Sequence, residues 1–367
     1  MDDDSQADSA FAFTGDWREF APIAFTNLLL TIVTLGIYRF WATARERRYL
    51  WSRTRFIDDR LEWTGTGLEL FIGFLLVFAL LFLPLLLLNF VLQGLVFRDR
   101  PGIAAAIVVI VYVLIFYLVG VARFRALRYR LSRTYWHGIR GGADDPGFAY
   151  GWSYLWKTFV GYLAIGLMVP WSMTSLWNER WRHMSYGPHR FVSEAQWGNI
   201  FLRYLIFYLS PIVLFVLFLV FVFIGGLAFG MSGGFDPSTP PNEGVVFAFI
   251  VAAAIFYLVF FVVMGVIAMI YYSAFYREAV GALSLSDLDF AFTARTMDWI
   301  KLFVGNVALV IFTLGIGIIF LRYRNWKFFI DHLEATGEIN LDQLTQSATR
   351  EPGQGEGLLD AFDIGAI

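Results

Sequence analysis

Four stretches of the chain run apolar without a charged residue in their middle: residues 70–96, 103–121, 201–229 and 245–272. Each is close to or above the ~20 residues that a bilayer-spanning helix needs. A span in lipid must satisfy its own backbone, so each is expected to be a helix. Between the first two lies a short segment, 98–102, and between the second two a Gly- and Pro-rich one, 231–244. Both are expected to be hairpin connections. Three further segments, 22–41, 154–177 and 299–321, are apolar but broken by polar residues: Asn27, Thr31 and Thr34, then Lys157, then Asn306 and Thr313. All 13 tryptophans lie outside the four clean spans, and most border the three broken segments. Indole rings favour the headgroup level of a membrane.

The broken segments resemble one another. Residues 13–56 can be laid on 148–191 without a gap, an offset of 135, which brings Trp17 onto Trp152 and Arg45 onto Arg180. A third copy fits at an offset of 279: Asn27 falls on Asn306, Arg45 on Arg324, and Thr34-Leu35-Gly36-Ile37 on Thr313-Leu314-Gly315-Ile316. The expected fold is therefore an all-α polytopic helix bundle of tandem parallel repeats, each an amphipathic re-entrant or interfacial segment followed by a transmembrane hairpin. The divisions are an acidic, disordered N-terminus (1–12), unit one (13–145), unit two (146–290), a truncated third unit (291–345) and a flexible tail (346–367). Arginine clusters follow every broken segment and the first clean hairpin, whereas 231–244 has neither Lys nor Arg. Seven crossings would invert the positive-inside rule over the second half. Four crossings place every cluster, and both termini, in the cytoplasm.

Composition narrows the chemistry. The chain is 58% hydrophobic and only 16% charged, against about 25% charged in a soluble domain. It has no Cys, which excludes disulfides, thiolate metal sites and a Cys nucleophile. The first residues lack the basic and apolar regions of a signal peptide, so the mature chain is expected to begin where the sequence does. His137, His183, His189 and His332 have no metal-ligand spacing and are expected to be solvated loop residues, as are Asp58, Asp59 and Glu62. Arg45, Arg180 and Arg324, with Arg47 and Arg182 beside them, are the candidate contacts to an anionic headgroup or ligand, since the guanidinium fork suits phosphate and carboxylate. Asn27 and Asn306 are the polar intramembrane candidates, as interhelical glue or substrate contacts.

The residues Phe13-Thr14-Gly15, Asn27-Leu28-Leu29, Thr34-Leu35-Gly36-Ile37-Tyr38, Trp41, Arg47-Arg48-Tyr49-Leu50 and Thr134-Tyr135-Trp136-His137-Gly138-Ile139-Arg140 resemble the YjgN family of bacterial inner-membrane proteins. The resemblance covers roughly 11–342 and implies a multi-pass inner-membrane protein with no assigned reaction. Two functions are open: a transporter or permease for a small or amphipathic solute not coupled through mid-membrane carboxylates, or a non-enzymatic lipid-binding or scaffolding protein. No enzymatic activity, cofactor or nucleic-acid partner is expected; the expected partners are anionic membrane lipids.

Overall fold

The computed structural model describes residues 9–231, 243–339 and 344–352. Helices dominate it, and three of them are long and apolar enough to cross a membrane: α5 (Pro101–Ser132), α8 (Gly198–Met231) and α9 (Glu243–Gly281). The remaining clean stretch is a rod made of α3 (Gly67–Val77), a π-helical turn (Phe78–Phe82) and α4 (Leu83–Phe97). Its wide turn precedes Pro84, which has no N–H to donate and whose ring crowds the carbonyl four residues back. Thr66 and Glu69 form a capping box at the start of the rod.

The three broken segments are each bent into a helical hairpin: α1 (Trp17–Val33) with α2 (Arg39–Ser52), α6 (Phe148–Leu163) with α7 (Val169–Arg182), and α10 (Thr296–Phe312) with α11 (Leu321–Asp331), the last through a 3-10 turn at Ile316–Phe320. Sequence explains the bends. Leu35 and Gly36 take left-handed φ of 51° and 92°, and Leu314 and Gly315 take 51° and 93°. Gly36 N–H bonds Thr31 O at 2.8 Å and Gly315 N–H bonds Val310 O at 2.8 Å, closing the first helix as a Schellman turn does. Thr34 Oγ1 then accepts Tyr38 N–H at 2.9 Å, and Thr313 Oγ1 accepts Gly317 N–H at 2.6 Å, starting the second. The tips are apolar, with Leu35 and Leu314 both 94% exposed. In the second hairpin the left-handed pair is Ile165 and Gly166. These lie 130 residues after Leu35 and Gly36, so the gapless 135-residue offset does not bring the first two turns together, whereas 279 does so for the first and third.

The all-α expectation is corrected by a sheet. Strands β1 (Phe11–Phe13), β2 (Thr54–Phe56) and β3 (Asp59–Arg60) form one small sheet. The other is an eight-stranded antiparallel meander of β4 (Glu62–Trp63), β5 (Thr134–Trp136), β6 (Ile139–Gly142), β7 (Ser185–Tyr186), β8 (His189–Ser193), β9 (Leu283–Leu285), β10 (Leu288–Phe292) and β11 (Leu333–Gly337). Phe11 and Ala12, placed by the sequence in the disordered N-terminus, belong to β1. Most of that N-terminus and the apolar end of the tail fall outside the described residues. The strands escape sequence reading because they hold only two to five residues, too few to display a period of two.

Connections in the sheets alternate. Two-residue turns join β2–β3, β5–β6, β7–β8 and β9–β10, with left-handed φ at Ile57, His137, Gly138, Gly187 and Ser286. Helical hairpins join β1–β2, β4–β5, β6–β7, β8–β9 and β10–β11, and each such pair of strands is hydrogen-bonded. In an antiparallel meander, alternate connections fall at opposite ends of the strands. Four of the hairpins therefore leave and return at one end of the eight-stranded sheet with its tight turns at the other, and in the three-stranded sheet the β1–β2 hairpin likewise lies opposite the β2–β3 turn. The segments 22–41, 154–177 and 299–321 accordingly return to the side they start from.

Aromatic clusters fill the seams between successive hairpins, and the last hairpin packs on the first. Tyr323 Oη donates to Gly15 O at 2.8 Å, Trp326 Nε1 to Thr54 Oγ1 at 2.9 Å, and Trp326 stacks on Trp51 at 4.0 Å. In the middle, Phe56, Trp136 and Leu288 are buried together against Phe11, Tyr186 and Phe290.

Candidate functional site

Polar residues in the short hairpins meet across the two arms. Asn27 Nδ2 donates to Glu46 Oε1 at 3.1 Å, and Glu46 also receives Arg322 Nη1 at 2.6 Å. Asn306 Nδ2 donates to Asn325 Oδ1 at 2.9 Å, and its own oxygen accepts Arg324 Nε at 2.7 Å. The pairs correspond, since 306 − 27 and 325 − 46 are both 279. In the second hairpin Lys157 Nζ meets Glu179 Oε2 at 2.5 Å. The two asparagines thus clamp their own hairpins.

The five candidate arginines do not share one surface. Arg45 and Arg182 are exposed, and Arg324 is held by Asn306. Arg47 is only 1% exposed, with its guanidinium over the Trp63 ring at 4.9 Å. Arg180 is 5% exposed and lies over Trp177 at 5.6 Å. Burial lowers the Arg180 pKa below the usual arginine value; Tyr150 opposes the shift and Arg123 adds to it. Arg45 and Arg324 follow their turn leucines by ten residues each (45 − 35, 324 − 314), whereas Arg180 follows Ile165 by fifteen (180 − 165). Arg47 and Arg180 are therefore interior cations, and two of the five remain open to a headgroup. His137, expected to be solvated, bonds Asp58 through Nε2 at 2.9 Å, and this hydrogen bond holds the Asp58 carboxyl below its usual pKa.

One of the open arginines, Arg182, lines a cavity of about 500 Å³ beside α7, together with Lys157, Trp171, Ser175, Glu179 and Trp197. Its wall is built by Asn178. Asn178 Nδ2 donates to Ala195 O at 2.9 Å, and its Oδ1 accepts both Ser193 Oγ and Ala195 N–H at 2.9 Å. Arg182 Nε donates to Ser193 O at 2.8 Å. These bonds pin the β8–α8 connection to α7, so that Trp197 and Trp171 line the same cavity. The Lys157–Glu179 pair is internally neutral, which leaves Arg182 as the net charge among the lining Lys, Arg and carboxylate groups. Sequence reading found Arg182 but missed Asn178, Glu179 and Trp197. Lys157 and Glu179 lie 22 residues apart, and only the hairpin bend makes them neighbours.

These features define a polytopic helical membrane protein with a polar pocket along one of its short hairpins. The chain belongs to a family of bacterial proteins of unknown function, DUF898, whose profile matches residues 8–361. It is distantly similar to the inner membrane protein YjgN of Salmonella typhimurium, 28% identical over 130 residues, which is 35% of this chain and 30% of that protein. Proteins of the same name from two Escherichia coli strains are 30% and 27% identical over 131 residues, 36% of this chain and 30% of each of theirs. The similarity thus spans about a third of these relatives' length. No solved structure matches the chain.

Proposed function

We propose that this protein is a non-enzymatic lipid-binding protein of the bacterial inner membrane that holds an anionic headgroup in the pocket at Arg182. The observation that carries this reading is the pairing of one uncompensated guanidinium with two indoles, Trp171 and Trp197, around a cavity large enough for a headgroup. Tryptophan at that position suits the interface, and the fork of Arg182 suits a phosphodiester. The pocket runs along α7 from Trp171 to Arg182, between Lys157 of α6 and the β8–α8 connection that carries Ala195 and Trp197, so its Arg182 end lies beside the sheet. A proton- or ion-coupled permeation pathway would instead use ionisable groups in the middles of the long helices, where the sequence has no Asp, Glu, His, Lys or Arg. In this reading the sheet and its arginines face the cytoplasm, as do both termini. The chain is built from copies of one strand–hairpin–strand unit, a view supported by the matching turns at Leu35 and Leu314 and by the matching clamps at Asn27 and Asn306.

The test is Arg182→Gln. Native mass spectrometry of the purified variant should show phosphatidylglycerol or cardiolipin retention reduced about fivefold, the equivalent of about 1 kcal/mol for one interfacial arginine. Arg182→Lys should recover part of it, because bulk attraction survives without the fork. Arg45→Gln, also exposed but away from the cavity, should leave retention unchanged. Equal lipid retention by Arg182→Gln and the unaltered protein would remove the proposal.

A further inference from the structure

The turn of each short hairpin carries an apolar residue in a conformation that does not suit it. Leu35, Ile165 and Leu314 take left-handed φ of 51°, 54° and 51°. Glycine and asparagine enter that region readily, whereas leucine is uncommon there and a β-branched isoleucine is an outlier. The three side chains touch little of the protein: they are 94%, 79% and 94% exposed, and Val33, Leu163 and Phe312 beside them are exposed too. Apolar surface is thus displayed at three comparable tips against the local backbone preference. Around each tip the chain has no Asp, Glu, His, Lys or Arg over 20–38, 158–178 and 302–321.

Contacts to the long helices fix how far the tips reach. Phe40, five residues past Leu35, packs on Phe71 at 5.5 Å and on Phe74 at 5.2 Å. From Phe74 the rod runs on for 23 residues (97 − 74), about 34 Å. The five residues from Phe40 to Leu35 span about 7 Å, so about 27 Å of rod rises past the first tip. At the second turn Tyr204 Oη donates to Gly166 O at 2.6 Å. Beyond Tyr204, α8 continues for 27 residues (231 − 204), about 40 Å. The third hairpin lies against the first, with Phe320 and Phe25 at 5.9 Å. A hydrocarbon core is about 30 Å thick, so hairpins this much shorter than their neighbours end in its near half.

We propose that the three short hairpins form a one-sided wedge: their tips lie among the acyl chains of the leaflet on the sheet side, and the protein prefers membrane that is convex on that side. Six short limbs, α1, α2, α6, α7, α10 and α11, enter that leaflet. The rod, α5, α8 and α9 continue into the other. Protein area is therefore added to one leaflet alone, and curvature relieves the mismatch. The wedge does not depend on the pocket at Arg182.

The test reconstitutes the full chain carrying Asp59→Cys, a label in a tight turn on the sheet side, into phosphatidylcholine vesicles about 30 nm and about 400 nm across. With no anionic lipid present, the pocket at Arg182 has no part in the result. A membrane-impermeant maleimide, applied before and after detergent, gives the ratio of sheet-outward to sheet-inward molecules. That ratio should be on the order of threefold higher in the small vesicles, whose outer leaflet is strongly convex. Leu35→Asn, Ile165→Asn and Leu314→Asn together keep the left-handed turns, which asparagine tolerates, and remove the apolar tips. In that variant the ratio should be equal at both sizes. The size dependence with unaltered tips decides the matter by itself if the variant does not reconstitute. A ratio independent of vesicle size with unaltered tips, a bias towards sheet-inward in small vesicles, or a bias that survives the three asparagines overturns the proposal.

Discussion

Trp136→Ala is expected to destabilise the protein by about 3–5 kcal/mol, the range for losing a large buried aromatic side chain. Trp136 lies at the end of β5, fully enclosed where the tight turns converge. Its ring packs against Phe56 at 4.8 Å and Tyr186 at 5.9 Å. Its Nε1 donates to Phe56 O at 3.0 Å, and its own carbonyl accepts Tyr186 Oη at 2.6 Å. One side chain thereby joins β2, β5 and β7, which precede three of the two-residue turns. Truncation removes the packing and leaves the Phe56 carbonyl without its indole donor. Trp136→Phe keeps most of the apolar contact and loses only the hydrogen bond, so it should cost roughly 1–3 kcal/mol for the unmet buried acceptor and smaller ring. Unfolding of the detergent-solubilised variants in graded SDS measures both. Equal, small losses would mean that the centre of the sheet is not a packing core.

The second large effect concerns the closure of the last hairpin on the first. Arg322 and Glu46 meet at 2.6 Å with side chains 25% and 14% exposed, between the surface and the interior. Exposed pairs contribute up to about 1 kcal/mol, while removing one partner of a fully buried pair costs 3–5 kcal/mol. Arg322→Leu is therefore expected to cost about 2 kcal/mol, because Glu46 would keep only the Asn27 amide. Glu46→Leu should also destabilise, by removing the carboxylate from Arg322 and the acceptor from Asn27. The double variant should lose less than the sum of the singles, with a coupling of at least about 1 kcal/mol in a double-mutant cycle. Strict additivity would show that the contact does not join the two hairpins.

The long helices were legible because their apolar runs are long and uninterrupted. Thr34-Leu35-Gly36 and Thr313-Leu314-Gly315 were legible as matching turns because that turn needs those residues: a hydroxyl to cap and a glycine to take positive φ. Ala164-Ile165-Gly166 forms a comparable bend without the threonine, so its identity was too low to find. The gapless offset of 135 instead followed arginines, which are frequent enough to coincide by chance. The sheet was hidden inside segments read as basic loops. Several of those arginines are neutralised within the fold, as in Arg53–Glu19 at 2.7 Å and Arg133–Glu69 at 2.9 Å. Such partners come from distant parts of the chain, and no local pattern announces them.

The central proposal is that all five hairpins emerge from one side of the two sheets, so that the tight turns share one side of the membrane. The chain has no cysteine, which makes single-cysteine labelling clean. Asp59→Cys, Pro188→Cys and Asp287→Cys lie in or beside three of the tight turns, and Asp99→Cys lies at the α4–α5 tip. A membrane-impermeant maleimide applied to intact spheroplasts should label Asp99→Cys, and should reach the other three only after permeabilisation. Seven separate crossings would place residues 59 and 188 on opposite faces. Labelling of Pro188→Cys from the same side as Asp99→Cys, with Asp59→Cys protected, would contradict the account.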